Sequence, residues 1–183
     1  MTLSTRKIII VAGPSASGKS YLIKQLLGNQ RDTLTAEILR KLKLNEELKL
    51  GKINIERLTN ATKMQKRSKK MKKDAYIVHF DLTSRNQPQR RLQLREISSE
   101  CKSLTVITLQ LSFKTWKKRM AERLRNGLRE IPITQAFWIY ILSLINTNLA
   151  KHFFESVYAE WDLLLNSMAI ENKIYINEEN NQC

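Results

Sequence analysis

The chain has 183 residues, a length that suits one domain with a substantial core, and its 42% hydrophobic content excludes a globally disordered chain. Its net charge of +15, with an isoelectric point near 10.0, says nothing of the fold but favours anionic ligands: nucleotides, phosphorylated substrates, nucleic acid or an acidic membrane surface. Cys101 and Cys183 have no metal-ligand spacing and suit a reducing compartment, and the longest apolar stretch, 136–145, falls short of the ~20 residues of a membrane span, so the expected compartment is the cytoplasm.

The first element is K-I-I-I-V-A, residues 7–12, a short β-branched apolar run of the kind that forms a buried parallel strand. It runs directly into Gly13-Pro14-Ser15-Ala16-Ser17-Gly18-Lys19-Ser20, the pattern G-x-x-x-x-G-K-S. Residues 21–27 follow with Leu22, Ile23, Leu26 and Leu27 at helical spacing, and Gly28-Asn29 marks a stop. Strand, loop and helix in this order are the context that a phosphate-cradling loop requires. Gly13 and Gly18 allow the backbone to curl and approach a ligand closely. The loop amides and the start of the following helix then converge on a place that favours an anion. Lys19 adds a full positive charge beside the phosphates, and Ser20 offers a hydroxyl to Mg²⁺.

The loop as it stands resembles that of the guanylate kinase branch of the P-loop kinases. The resemblance spans residues 7–28 most strongly. It implies a P-loop NTPase fold of three layers, an α/β arrangement whose parallel sheet has about five strands flanked by helices. It also implies ATP and Mg²⁺ as ligands, with Gly13, Ser15, Ala16, Ser17, Gly18, Lys19, Ser20 and Tyr21 around the nucleotide.

Residues 30–60 read as helical, with Ile38, Leu39, Leu42, Leu48 and Leu50 among charges, as in amphipathic helices over a sheet edge. Asp32 reads as a helix-starting residue; the kinase resemblance offers a second role, orienting the acceptor hydroxyl. The segment 63–73, K-M-Q-K-R-S-K-K-M-K-K, has seven basic residues and no acid. It is either a solvated face or a contact for a phosphate-rich partner, an acceptor phosphate or nucleic acid. No aromatic residue is interleaved to stack on bases.

A second strand spans 75–82 and carries Asp81 at its end. Ligands bind at the carboxyl ends of parallel strands, where a carboxylate reaches Mg²⁺ through water or an acceptor hydroxyl directly. This resembles the second P-loop signature, and Leu82 stands where motor-type ATPases usually carry a water-activating Glu. His79 reads as a core residue. Arg85 lies in the polar loop 83–87 within reach of a phosphate or acceptor. A helix over 89–101 starts behind Pro88, with Leu92 and Ile97 predicted inward and Arg90, Arg91 and Arg95 outward.

A third strand covers 104–111 and a helix opens at Ser112-Phe113, where Phe113, Trp116, Met120 and Leu124 share one apolar face. Arg119 and Arg123 lie one turn apart on another face, with Arg125 and Arg129 beyond. The strand followed by an arginine-bearing helix resembles the lid region of nucleoside-phosphate kinases, which implies a lid-like helix at 113–130 whose Arg119 and Arg123 neutralise charge on the transferred phosphoryl group. The other reading is a basic solvated face.

Residues 133–165 are the most apolar part and read as two helices, buried in the domain or forming an oligomer contact through 136–165. A last strand, 173–177, places Asn177 where the resemblance implies contact with adenine. Four strands are thus assigned, and a fifth belongs somewhere in 30–74, which the resemblance makes an acceptor-side insert.

These readings predict a single P-loop domain over 1–183. They favour an ATP-dependent phosphotransferase acting on a small acceptor, with Lys19, Asp81, Arg119 and Arg123 as catalytic groups and Ser20 and Asp81 on Mg²⁺. The alternatives are a nucleotide-binding regulatory or nucleic-acid-binding protein, and a sulfotransferase-like enzyme, against which the intact Gly-Lys-Ser argues. No guanine-binding set of Tyr, Ser and acidic residues is recognisable in 30–74, so the acceptor is open among nucleotides, glycans and other small molecules.

Overall fold

Strand β1 (Lys7–Gly13) runs through the middle of a five-stranded, all-parallel sheet. The computed structural model describes residues 7–28, 36–38, 40, 55–58, 75–84, 87–101, 103–126 and 135–177. In chain order β1 is followed by α1 (Lys19–Leu27), β2 (Ile55–Leu58), β3 (Ala75–Asp81), α2 (Gln87–Glu100), β4 (Ser103–Gln110), α3 (Phe113–Arg125), α4 (Gln135–Ile145), α5 (Thr147–Asn166) and β5 (Asn172–Asn177). The strands lie in the order β2-β3-β1-β4-β5. The four strands expected from their apolar runs are present within one residue of their predicted bounds.

The alternation along β1 explains the three layers. Ile8, Ile10 and Ala12 join one buried cluster with Trp116, Met120, Phe154 and Trp161, so α2, α3, α4 and α5 cover that face. Ile9 and Val11 join Leu22, Ile23 and Leu26 of α1, with Ile38, on the other. Aromatic rings fill the larger face: Phe80 stacks on Trp161 with centroids 5.1 Å apart, and Trp116 packs on Phe154 at 4.8 Å. Among the described residues no helix is long and apolar enough to cross a membrane.

The fifth strand, β2, corrects the expectation that all of 30–60 is helical. Residues 36–38 are helical, but 55–58 pair in parallel with β3, from Ile55 opposite Ala75 to Leu58 opposite Val78. At four residues on the sheet edge, β2 is held by its backbone ladder and carries no apolar run.

One further expectation changes. Leu92 is 60% exposed while Leu94 is buried, because positions two apart on a helix lie about 200° around its axis and α2 turns the Leu94 side to the sheet. The side chain of Ile97 lies outside the described residues. The 133–165 region forms two helices joined at Asn146, whose side chain caps α5 by accepting from Leu149 N. α5 buries Phe154, Val157, Trp161, Leu164 and Leu165, whereas α4 buries Ala136, Ile139 and Ser143 and leaves Trp138, Leu144 and Ile145 exposed. The apolar residues of α4 outnumber what its one packed face can accept.

Because every strand is parallel, all carboxyl ends share one edge of the sheet. There β1 has β3 on one side and β4 on the other, and the crevice beyond such a reversal of strand order is where open α/β sheets bind ligands.

Candidate phosphate-binding site

The end of β1 opens into the loop 14–18, whose shape is set by three backbone features. A Cβ on Gly13 would lie 2.5 Å from Ser17 Oγ and 3.2 Å from the Leu109 carbonyl, so the loop closes on Gly13 as only glycine allows. Gly18 has φ +89°, and Ala16 adopts φ +65°, a left-handed conformation uncommon outside glycine and concentrated at functional loops. Gly18 caps α1 without a side-chain hydrogen bond, and the first turn holds no acidic residue. An anion placed there gains from the helix N–H groups and dipole.

Lys19 is turned back over this loop. Its Nζ donates to Gly13 O at 2.9 Å and to Pro14 O at 2.5 Å, and its side chain is 3% exposed. A buried ammonium requires such acceptors and a counter-charge. The counter-charge is Asp81, whose Oδ2 lies 3.8 Å from Nζ.

Asp81 ends β3 directly opposite Gly13 in the sheet register. Its Oδ2 accepts from Ser15 Oγ at 2.8 Å; its Oδ1 accepts from Thr83 N at 2.8 Å and Thr83 Oγ1 at 2.7 Å. Burial alone raises the Asp81 carboxyl, but the Lys19 charge, the Thr83 hydroxyl and N–H and the Ser15 hydroxyl outweigh it and hold the group below its ordinary value. The carboxylate is therefore ionised at neutral pH. Beyond it, Leu82 N donates to Gly13 O at 3.0 Å and the Leu82 side chain is buried, so the position after Asp81 points into the core.

α3 packs on the loop from the β4 side. Trp116 Nε1 donates to Ser15 O at 3.1 Å, and Arg119 Nη1 reaches Ala16 O at 3.5 Å while lying 3.9 Å from where a Gly18 Cβ would be. The structure thus brings Gly13, Ser15, Ala16, Ser17, Gly18, Lys19, Asp81 and Arg119 together. Ser20 is exposed in the first turn of α1, and Tyr21 beside it is 61% exposed. Arg123 lies one turn beyond Arg119 and is half-buried. Asn177 ends β5 opposite Gln110, exposed at the same edge of the sheet. Asp32, the basic segment 63–73, Arg85, Arg129 and Cys183 lie outside the described residues.

Thr83 and Trp116 belong to the site without having been singled out in the sequence as site residues. Both act through the loop backbone, 68 and 101 positions away from Ser15. A Thr two residues after a strand-ending Asp was the one available signal, since that spacing favours a side-chain turn. A groove of about 500 Å³ between α2 and α5, lined by Arg91, Leu92, Arg95 and Leu163 among others, includes none of these residues.

A family model described as an AAA domain matches residues 8–141. No protein of curated function matches the chain. Among solved structures the chain is similar to a sugar kinase from Janibacter sp. HTCC2649, at 17% identity over 94% of this chain and 85% of that one, with a TM-score of 0.36.

Proposed function

Because the chain belongs to the AAA-domain family of P-loop NTPases, we propose that it binds ATP with Mg²⁺ at residues 13–20 and transfers the γ-phosphoryl group to a small acceptor. The observation that carries this reading is the constellation at the end of β1: a tightly curled loop, a Lys19 ammonium anchored over it, and an ionised Asp81 3.8 Å from that ammonium.

The residues present fit the proposed ligands. Gly13 leaves no space for a Cβ and Gly18 and Ala16 curl the backbone, as a phosphate cradle needs. Ser20 and Asp81 offer a hydroxyl and a carboxylate, the hard oxygen donors from which Mg²⁺ takes one or two protein ligands while keeping waters and phosphate oxygens. The nucleotide supplies the transferable phosphoryl group and its leaving group. The chain supplies position and charge. Lys19, held at the loop by two of its carbonyls, places a full positive charge beside the phosphates. Arg119, resting on the loop at Ala16, and Arg123 one turn along contribute guanidinium groups for charge that develops on the transferred group. Tyr21, beside the loop, and Asn177, at the end of β5, would complete the nucleotide site, with Asn177 toward the adenine.

Transfer is favoured over hydrolysis because the residue after Asp81 is a buried leucine, which can neither position nor activate a water. Kinship with the guanylate kinase branch in particular is supported by the wording of the loop, and the acceptor is left open. ATP turnover measured against a panel of nucleotide, sugar and other hydroxyl-bearing acceptors tests the reading. Turnover should rise sharply with the correct acceptor and vanish in Lys19→Ala; retention of turnover in that variant sinks the proposal.

A further inference from the structure

We propose that Thr83 is a positioning residue whose hydroxyl ties the Asp81 carboxylate to the backbone of the phosphate loop, so that loop and carboxylate hold a single geometry. This rests on the nucleotide-binding reading above and extends it to a residue that touches neither nucleotide nor metal.

Thr83 is fully buried, and its side-chain oxygen stands between two partners of fixed polarity. Asp81 Oδ1, at 2.7 Å, can only accept, so the hydroxyl proton points to it. Ser15 N–H, at 3.0 Å, can only donate, so it takes a lone pair of the same oxygen. The relay is thus Ser15 N–H to Thr83 Oγ1 to Asp81 Oδ1, and its direction is set. Ser15 closes the ring from the other side, because its own hydroxyl donates to Asp81 Oδ2 at 2.8 Å. Both carboxylate oxygens and two groups of one loop residue are joined in a cycle.

A local turn alone does not account for this. An Asp followed two residues later by a backbone N–H makes a common side-chain turn, and the 2.8 Å bond from Thr83 N to Oδ1 supplies it without any hydroxyl. The hydroxyl adds the connection to Ser15, 68 residues away in sequence and on the other side of the β1–β3 ladder. A carboxylate that would help to hold Mg²⁺ needs its rotation fixed, and supporting bonds of this kind orient the groups that hold a metal.

Calorimetric titration of the full chain with ADP in the presence of Mg²⁺ tests the tie. Thr83→Val keeps the shape and removes the hydroxyl, leaving Ser15 N–H buried without its acceptor; affinity should fall about tenfold. Thr83→Ser restores the hydroxyl and should stay within about threefold of wild type. In an Asp81→Asn background, Thr83→Val should cost about threefold or less, because the carboxylate it positions is already gone. An unaltered affinity for Thr83→Val, or an equal cost in both backgrounds, overturns the proposal. If Thr83→Val does not fold, Thr83→Ala against Thr83→Ser carries the same comparison. A wild-type chain that binds no Mg²⁺-ADP refutes the nucleotide reading instead; the tie is then decided by hydrogen exchange at the Ser15 amide of the ligand-free protein. Removal of the hydroxyl should speed that exchange about tenfold, and unchanged exchange overturns the tie.

Discussion

The indole N–H of Trp116 donates to the carbonyl of Ser15 at 3.1 Å, and the indole is fully buried. Ser15 therefore has its carbonyl, N–H and hydroxyl bonded to three different residues: Trp116, Thr83 and Asp81. The loop that follows β1 takes its shape from the end of β3 and from α3 as much as from its own glycines.

Trp116→Phe should show how much the indole contributes. Phe keeps one ring against Phe113 and Phe154 but leaves a void where the rest of the indole lay, and the Ser15 carbonyl loses its donor. A buried acceptor left unmade costs about 1–3 kcal/mol. Urea unfolding should reveal that loss, accompanied by weaker nucleotide binding, whereas a stability within a few tenths of a kcal/mol of wild type would mean that the bond is dispensable.

The two loop glycines should respond differently to alanine. Gly18→Ala makes no more than an ordinary contact, with Arg119 Nη1 at 3.9 Å, but must hold φ +89°, so it should cost about 1–2 kcal/mol of strain. Gly13→Ala adds a Cβ at 2.5 Å from Ser17 Oγ and 3.2 Å from the Leu109 carbonyl, so the Ser17 hydroxyl must turn away and the neighbouring backbone must give by a few tenths of an ångström. Nucleotide affinity should fall further in Gly13→Ala than in Gly18→Ala; the reverse order, measured by calorimetry, would contradict the assigned loop shape.

Much of this site was legible because its chemistry and its fold signal coincide. The I-I-I-V run that makes β1 central also places the Gly-Lys-Ser pattern at the carboxyl edge of the sheet, and the apolar run before Asp81 does the same for the carboxylate. β2 was not legible, because I-E-R-L on an edge strand has neither a continuous apolar run nor enough length for alternation to stand out. Leu92 misled because Leu92, Leu94 and Ile97 offer two competing faces, and only packing against the sheet selects Leu94. Thr83 and Trp116 were illegible for a different reason. Each bonds a backbone group of a distant loop, the Ser15 N–H for Thr83 and the Ser15 carbonyl for Trp116, and no side-chain pattern in a sequence encodes such a partner; the Asp81-x-Thr83 spacing signals only the local turn.

The acid limb of stability should carry the mark of Asp81. Its carboxyl lies below the ordinary 3.8 in the folded chain, chiefly because the Lys19 charge and the Thr83 and Ser15 bonds overcome the upward pull of burial. A lowered folded value means that its contribution is complete above the unfolded value and is lost as pH falls through the folded one. The stability difference between wild type and Asp81→Asn should be level from neutral pH to about pH 5 and shrink below about pH 4. Urea unfolding at pH 7, 5 and 3 checks this, and a difference that stays constant to pH 3 would show that Asp81 titrates alike in both states.

Arg119 and Arg123 should separate binding from chemistry. Loss of a group that acts on developing charge lowers kcat by about 10²-fold while leaving nucleotide binding far less affected. Arg119→Ala is expected to show that split once an acceptor is in hand, with Arg123→Ala the weaker of the two, since Arg119 already rests on the loop at Ala16. A raised KM with kcat unchanged would assign both residues to ground-state binding.

If residues 13–20 hold a triphosphate beside Asp81, a crystal structure with a non-hydrolysable ATP analogue and Mg²⁺ should show it there. The β- and γ-phosphates should lie against the loop amides and Lys19 Nζ, with the metal on Ser20 Oγ and joined to Asp81 through water. An analogue bound elsewhere on the chain, or a loop that stays empty in crystals saturated with it, would contradict the account.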